Sequence, residues 1–390
     1  MKQISNGLDY DYNCYRKYLL TAIKYYIVGL SFFCMVNTLS CTQYLRTGTS
    51  RRTVRIALIN GVQEVVVSGR IKNKYKKEYS ITPTHKFPIQ VSASKGIVSV
   101  NKKPYRGKLN IDLINSRIWV INIINIEDYL QGVVPCEIGK INYDLLEAAK
   151  AQAIAARTYA AAHIDQYAGL GFDLYATIRD QVYNGYNAET EITNQAVKET
   201  KGRIIVYNQR PIEAKYHSTC GGRTADFTDA WAGDGPTYLR SVACPYCRNS
   251  PHYLWKKTLS KKDFFRRLRA GMAKIGTLIP ENELITNIRL TRNKISCRIR
   301  KMTIETNTRE YALTNYQIRT VFGEPTDPGS LLKSNYIEIT VHDDSIIIIG
   351  HGFGHGVGMC QFGAIEMATQ GFDHRQILLH YYPGTRIVKY

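Results

Sequence analysis

Residues 350–364 read GHGFGHGVGMCQFGA, with a glycine at every second position from Gly350 to Gly358. In an extended chain successive side chains point to opposite faces, so this spacing predicts one face of bare backbone. The other face would carry His351 and His355. Ordinary strands avoid such spacing because glycine costs conformational entropy, yet it lets another group approach closely. The segment therefore predicts either a ligand site or a tight crossing of two strands with buried histidines.

Upstream of this segment the hydrophobic pattern changes along the chain. From residue 54 to about 119, short alternating runs such as VRIALI and RIWVINII are separated by turns, which is typical of strands. Residues 144 to about 167 form an alanine-rich helical pattern, and 191–200 a shorter one. At about 255–335, a basic amphipathic helix and three strands resemble an inserted unit. We expect an α+β fold: a β-rich mixed fold with one long alanine-rich helix by the active site and an inserted smaller α/β subdomain.

The chain is strongly basic. Its 390 residues hold 52 lysines and arginines against 32 aspartates and glutamates, a formal charge of +20. Such a balance indicates a polyanionic partner, which could be a nucleic acid, an anionic membrane or an acidic polysaccharide. The sequence has no arginine block, zinc-finger spacing or RNA-binding aromatic motif, so we expect no nucleic-acid partner.

The N-terminus predicts export. Four basic residues precede the apolar run YYIVGLSFFCM at 25–35, which is short for a membrane span but suits a signal-peptide core. The following TLSC at 38–41 resembles a lipoprotein cleavage site with Cys41 as the lipidated residue. An uncleaved membrane anchor is the alternative. Either way, residues 1–41 would be the signal or anchor, 42–53 a linker, and 54–390 would lie outside the cytoplasmic membrane.

A first group of polar residues surrounds the alanine-rich helix. Glu137 follows a proline in IEDYLQGVVPCE, and we predict a loop there that leads into the helix. Loops on rigid scaffolds often hold catalytic side chains. Lys150 and Arg157 are seven residues apart and would share one helix face, where they could hold an anionic ligand beside Glu137. A surface glutamate beside a solvated basic face is the alternative.

Three further strings carry reactive or sugar-compatible residues. DQVYNGY at 180–186 combines tyrosines and amides, which suit sugars but equally fit a strand and turn. His217 stands beside Ser218 and Cys220, yet the string lacks a nucleophile-elbow pattern. Cys244-Pro-Tyr-Cys247 matches a redox motif without the expected βαβ frame. A disulfide, or a structural Zn²⁺ site formed by these cysteines with His217 or His252, is the alternative.

Taken in order, six strings resemble the SpoIID/LytB family: IEDYLQGVVPCE, EAAKAQAIAARTYA, DQVYNGY, AVKETKGRIIVYNQRPIEAKYHSTCGGRT, GHGFGHGVGMCQFGAIEMATQG and ILLHYYPGTRI. They span residues 54–390 with gaps. The resemblance implies a peptidoglycan lytic transglycosylase that cleaves between N-acetylmuramic acid and N-acetylglucosamine and leaves a 1,6-anhydro end. The family's catalytic glutamate corresponds to Glu137. A single carboxyl group suffices for this chemistry, whereas two-carboxylate hydrolysis needs a second.

The resemblance also implies a substrate and its ligands. Glycan strands stripped of stem peptides expose the lactyl carboxylates of muramic acid, which Lys150 and Arg157 would bind. No cofactor is needed for the chemistry, although a structural zinc on Cys220, Cys244, Cys247 and His217 is consistent with the sequence. A non-catalytic glycan-binding protein that enhances a cell-wall amidase is the alternative. The remaining candidate groove residues are Tyr159, Gln181, Tyr183, Tyr186, His217, Ser218, His355 and Gln361.

Overall fold

The computed structural model of the chain describes residues 53–314, 316–323 and 331–390. The predicted signal or anchor at 1–41, and the linker up to residue 52, lie outside these described residues. Within them, no helix is both long enough and apolar enough to cross a membrane. Helices and strands are mixed along the chain, which confirms the predicted α+β class.

Two antiparallel sheets form the N-terminal part. One has the strand order β4-β7-β8-β1, with β9 added in parallel beside β1, and the other has the order β3-β2-β5-β6. Buried residues alternate along these strands, as the sequence pattern predicts. The strands are β1 (Thr53–Val62), β2 (Val65–Ile71), β3 (Lys74–Ile81), β4 (Ile89–Val91), β5 (Ile97–Val100), β6 (Lys103–Arg106), β7 (Lys108–Ile114), β8 (Arg117–Asn125) and β9 (Leu174–Tyr175).

Helix α1 (Ile126–Ile138) directly follows β8, and it replaces the loop that we predicted before Glu137. The Asn125 side chain caps it by accepting a hydrogen bond from the Glu127 N–H at 2.9 Å. Buried residues recur along one face at helical spacing. Pro135 stands in the last turn, where it removes only one backbone hydrogen bond, so the helix continues to Glu137 and beyond.

Helix α2 (Leu146–Ala162) lies at the centre of the larger core. Most of its residues are buried, because alanines let neighbouring elements approach it closely. It packs against α1 and α3 (Glu191–Glu199) and against the two C-terminal helices, α6 (Gln361–Thr369) and α7 (His374–Tyr381). Short strands complete this part: β10 (Arg203–Tyr207), β11 (Arg210–Pro211), β12 (Tyr216–His217), β19 (Met359–Cys360) and β20 (Arg386–Lys389).

A second hydrophobic core lies in the region where the sequence indicates an insertion. It is formed by buried residues from Trp255 to Ile348, and a cavity of about 340 Å³ opens between its helix and its strands. The boundaries 255–335 remain a prediction, since strands beyond residue 335 also contribute to this core. Its elements are β13 (Leu254–Ser260), α4 (Lys261–Lys274), β14 (Ile285–Arg292), β15 (Ile299–Thr306), β16 (Glu310–Thr314), α5 (Tyr316–Val321), β17 (Ile337–Val341) and β18 (Ser345–His351).

The glycine-rich segment is a loop for most of its length, so the predicted alternating strand is wrong there. Strand β18 ends at His351, and from Gly352 to Gly358 every second residue has a positive φ, between 72° and 110°. Side chains rarely adopt this conformation. The loop crosses the segment 215–221 so closely that a Cβ at Gly354 would lie 2.8 Å from the His217 Cβ. The glycines therefore permit a tight crossing of two chain segments.

Candidate active site

The carboxyl group of Glu137 lies against residues that come from three other parts of the chain. Its Oε1 accepts a hydrogen bond from the Val182 N–H at 2.8 Å. The side chains of Gln361 and Tyr216 also hydrogen-bond to this carboxyl group. Burial raises the pKa of Glu137, and the hydrogen bonds offset this effect only in part. The group therefore keeps its proton to a higher pH than an exposed glutamate, as a general acid requires.

A chain of hydrogen bonds fixes the position of Tyr216. Gln181 donates from Nε2 to the Tyr216 hydroxyl at 2.9 Å, and its Oε1 accepts from the Tyr129 hydroxyl at 3.3 Å. Gln181 is buried and contacts Tyr216 directly. We did not single out Tyr216 from the sequence, although it stands directly before His217 in a string that we quoted. Its phenol is the group that Gln181 orients toward the carboxyl group.

Gln361 approaches Glu137 from the start of α6. The side chain of Gln361 is buried and donates from Nε2 to Oε1 of Gln152 at 3.4 Å. Asp180, the acidic residue in the same segment as Val182, is already engaged: its carboxylate accepts hydrogen bonds from the Tyr159 hydroxyl at 3.0 Å and from the Tyr175 N–H at 2.8 Å. Asp180 is thus tied to neighbouring elements by its own hydrogen bonds.

The structure pairs the two basic residues on α2 with glutamates of the chain. Arg157 is fully buried and forms two hydrogen bonds with the Glu127 carboxylate, at 3.0 and 2.7 Å. Glu127 lies ten residues before Glu137, or about 15 Å along the helix. The Lys150 ammonium forms ion pairs with Glu147 and Glu199. Both cations are paired with glutamates of the chain, so the structure lends no support to their binding of a substrate carboxylate, which stays a prediction.

The three predicted groove tyrosines have different environments. Tyr183 is buried, and its hydroxyl donates to Asn122 Oδ1 at 3.2 Å, so it belongs to the core. Tyr159 is also buried and stacks on His163. Tyr186 is 44% exposed, with the Arg106 guanidinium 4.9 Å above its ring. Only Tyr186 presents an accessible ring face, so we no longer expect Tyr159 or Tyr183 to stack on a sugar.

The two candidate histidines meet where the glycine loop crosses β12. The rings of His217 and His355 lie 5.6 Å apart, and Ser218 is half-buried beside them. His217 Nδ1 donates to the Val357 carbonyl at 3.1 Å, and burial lowers the pKa of His217 to about 3. His355 Nδ1 accepts from the Val357 N–H, and burial likewise lowers its pKa. Both imidazoles are neutral, and their contacts hold the crossing together.

Four cysteine thiols converge on one buried point. The Sγ atoms of Cys220, Cys244, Cys247 and Cys360 all lie within 4.8 Å of one another. The predicted fourth member, His217, is not in this group, and neither is the alternative His252. Cys360 takes that place because β19 pairs with β12 in parallel, which brings residue 360 opposite residue 217. The CQFG string carried no spacing signal that links it to the other three cysteines.

Sequence comparisons identify relatives over most of the chain. A family model described as "Stage II sporulation protein" matches residues 114–207, and a "Domain of unknown function (DUF8618)" matches 246–358. A stage II sporulation protein D of Bacillus subtilis is 30% identical over 310 residues, which are 76% of this chain and 82% of that protein. The chain belongs to the SpoIID family. An uncharacterized protein of Brachyspira hyodysenteriae is 36% identical over 300 residues, 75% of this chain and 74% of that protein.

The residues that match the SpoIID family model include only part of the candidate site. The matched residues 114–207 contain Glu137 and Gln181, whereas Tyr216 and Gln361 lie beyond them. The DUF8618 match coincides with the second hydrophobic core. An amidase enhancer of Bacillus subtilis is also 28% identical over 302 residues, which are 67% of this chain but only 40% of that protein. This SpoIID member is therefore similar in sequence both to a stage II sporulation protein D and to an amidase enhancer.

Proposed function

We propose that this protein acts on the bacterial cell wall as a peptidoglycan lytic transglycosylase with Glu137 as the general acid and base. Membership of the SpoIID family and similarity to an amidase enhancer support a cell-wall role. The observation that carries the proposal is the environment of Glu137: a carboxyl group with a raised pKa, oriented by the Val182 N–H and by the Tyr216 and Gln361 side chains.

The proposed reaction uses this carboxyl group twice. Protonated Glu137 donates its proton to the glycosidic oxygen as the bond to C1 of N-acetylmuramic acid breaks and oxocarbenium character develops. The resulting carboxylate then accepts the proton of the muramic C6 hydroxyl, whose oxygen attacks C1 and closes the 1,6-anhydro ring. Glu137 regains its proton, and no water is consumed.

The substrate that we propose is a glycan strand without stem peptides. Its free lactyl carboxylates make it a polyanion, and the formal charge of +20 favours its approach. Exposed Tyr186 offers a ring face for stacking on a sugar. Such a substrate lies outside the cytoplasmic membrane, so we also propose that residues 1–41 export or anchor the chain, and that no cofactor takes part in the chemistry.

The decisive experiment compares the wild-type protein with Glu137→Gln on purified peptide-free glycan strands. Mass spectrometry of the products should detect anhydro-muramic ends from the wild-type protein only. The substitution keeps the size of the side chain and an oxygen that can accept from the Val182 N–H. A loss of cleavage with unchanged or higher thermal stability would therefore report on chemistry. Products that contain added water would contradict the proposal and indicate a hydrolase.

A second function is favoured by the similarity to an amidase enhancer. In that case the same surface would bind glycan strands without cleaving them, and a partner amidase would perform the hydrolysis. Strands that bind equally to wild-type and Glu137→Gln protein, and remain uncleaved by both, would support this function. Stimulation of a purified cell-wall amidase by both proteins would then establish it.

A further inference from the structure

The cysteine cluster formed by Cys220, Cys244, Cys247 and Cys360 is not used by the proposed reaction. All four side chains are buried, and the structure records every one of them as a free thiol. They come from three separate parts of the chain: the segment after β12, the short CPYC helical turn, and β19. We propose that this cluster is a structural tetrathiolate zinc site that ties these three segments together.

The distances fit a single metal ion. Tetrahedral zinc holds thiolates at about 2.3 Å, which separates the sulfur atoms from one another by about 3.8 Å. The Sγ atoms of Cys220 and Cys247 are 3.4 Å apart, and the other pairs lie within 4.8 Å. A disulfide needs about 2 Å. Cys244 and Cys247 also have the two-residue spacing with which zinc sites commonly begin.

The surroundings supply the hydrogen bonds that metal-bound thiolates accept. The backbone N–H groups of Cys220 and Gly363 point at Cys360 Sγ, at 3.3 and 3.4 Å. The Tyr381 hydroxyl lies 3.1 Å from Cys244 Sγ. A Cβ at Gly363 would lie 2.8 Å from the same sulfur, so only glycine fits beside it. Groups that orient ligands in this way are typical of the shell around a metal centre.

A buried positive charge beside the cluster provides independent support. Arg298 is about 1% exposed, and its guanidinium donates to the carbonyl oxygens of Cys220, Arg223 and Ser296. Within residues 53–314, 316–323 and 331–390 it forms no ion pair with a carboxylate; buried Asp229, which pairs with Arg300, acts on its charge without pairing with it. Buried charges need a compensating charge. Four thiolates around one Zn²⁺ carry a net charge of −2, which would add to the compensation from Asp229.

The site would also affect the candidate active site. Cys360 immediately precedes Gln361, whose side chain bonds to Glu137, and Cys360 Sγ caps α6. A metal at Cys360 would therefore fix the position from which Gln361 reaches the carboxyl group. This consequence rests on the proposed function, whereas the zinc site itself does not.

The test measures metal rather than activity. The full-length protein, purified in mild detergent, should contain about one zinc per chain by elemental mass spectrometry. Cobalt in place of zinc should give the intense visible absorption of a tetrahedral thiolate complex. Cys360→Ser keeps a side chain that can cap α6 but removes a ligand, so we expect zinc affinity to fall by about 100-fold or more. The exposed Cys297→Ser is the matched control and should keep its zinc.

Two results would overturn the proposal. One is metal-free wild-type protein whose four cysteines are recovered as disulfides by peptide mapping. The other is stoichiometric iron with acid-labile sulfide, which would indicate an iron–sulfur cluster. If Cys360→Ser fails to fold, chelation of the wild-type protein replaces it: four thiols should become reactive, and added zinc should protect them again. If the wild-type protein lost its zinc but still cleaved glycan strands, the zinc site would be independent of the proposed reaction.

Discussion

Replacing Glu127 by glutamine tests whether Arg157 stabilises the fold or binds a substrate. Arg157 is fully buried, and the Glu127 carboxylate holds it through two hydrogen bonds of 3.0 and 2.7 Å. Glu127→Gln would keep the shape of the side chain but leave the guanidinium without its negative partner. Removing one member of a buried ion pair costs about 3–5 kcal/mol, because the remaining charge stays desolvated.

We take the lower end of this range because the Glu127 side chain is 17% exposed and because Arg157 also donates to the carbonyl groups of Val197 and Arg203. A loss of about 3 kcal/mol changes the folding equilibrium by roughly 150-fold. With an unfolding entropy of about 2.1 cal/mol/K per residue over roughly 340 residues, the melting temperature should fall by about 4 °C. Calorimetry or thermal circular dichroism measures this shift directly.

A matched control is the ion pair between Lys150, on the same helix as Arg157, and Glu199 of α3. The Glu199 side chain is 40% exposed, so Glu199→Gln should cost no more than about 1 kcal/mol. The reasoning would be refuted if Glu127→Gln melted at the same temperature as the wild-type protein and bound glycan strands more tightly, because Glu127 would then have competed with a substrate carboxylate for Arg157. That result would restore the sequence-based interpretation, in which Arg157 binds a carboxylate of the substrate.

Three further predictions concern acidity and the glycine loop. Tyr216→Phe removes a hydrogen bond that lowers the pKa of Glu137, so the alkaline limb of the cleavage pH profile should move to higher pH. An unchanged alkaline limb would show that Tyr216 does not influence the acidity of Glu137. Burial alone would raise the pKa of Glu147, but its lysine and histidine partners lower it to about 2. The stability it contributes is therefore present above its ordinary pKa of 4.5 and should be lost as the pH falls toward 2, whereas Glu147→Gln should flatten this part of the stability curve. Gly356→Ala places a Cβ 2.5 Å from Arg298 Nη2 at a φ of +83° and should destabilise the protein by about 1–3 kcal/mol, measured by urea unfolding; a neutral effect would mean that the loop relaxes freely.

Elements with strong periodicity could be predicted from the sequence, and those governed by distant contacts could not. The alanine-rich helix and the alternating strands follow from local patterns, and both are present. We predicted a loop at Pro135, but helix α1 continues through this residue, because a proline in the last turn removes only one backbone hydrogen bond. The glycine loop was predicted as a strand because spacing alone does not reveal positive φ values.

The sequence indicated Glu137 and two of the residues around it, Gln181 and Gln361, but not Tyr216. Glu137 was reached through resemblance to a family, and its contact with Val182 belongs to a string that we had already quoted. Arg157 and Lys150 share a helix face as expected, but the sequence does not reveal which glutamates that face meets. Cys360 joins the cysteine cluster through a parallel strand pairing over a long separation, for which spacing offers no signal.

The pairing of β12 with β19 has a consequence for the order of folding. It joins His217 to Cys360, so an unstructured chain must close a loop of about 140 residues before either the site or the cluster can form. Strand β13 pairs with β18, with Leu254 opposite His351. The residues of the second hydrophobic core all lie between these two positions in the sequence. Folding of this unit first would shorten the open loop to about 45 residues and reduce the entropic cost of closure by about 1 kcal/mol. The unit from Leu254 to His351 contains none of the residues that surround Glu137, yet its early folding would favour formation of that site.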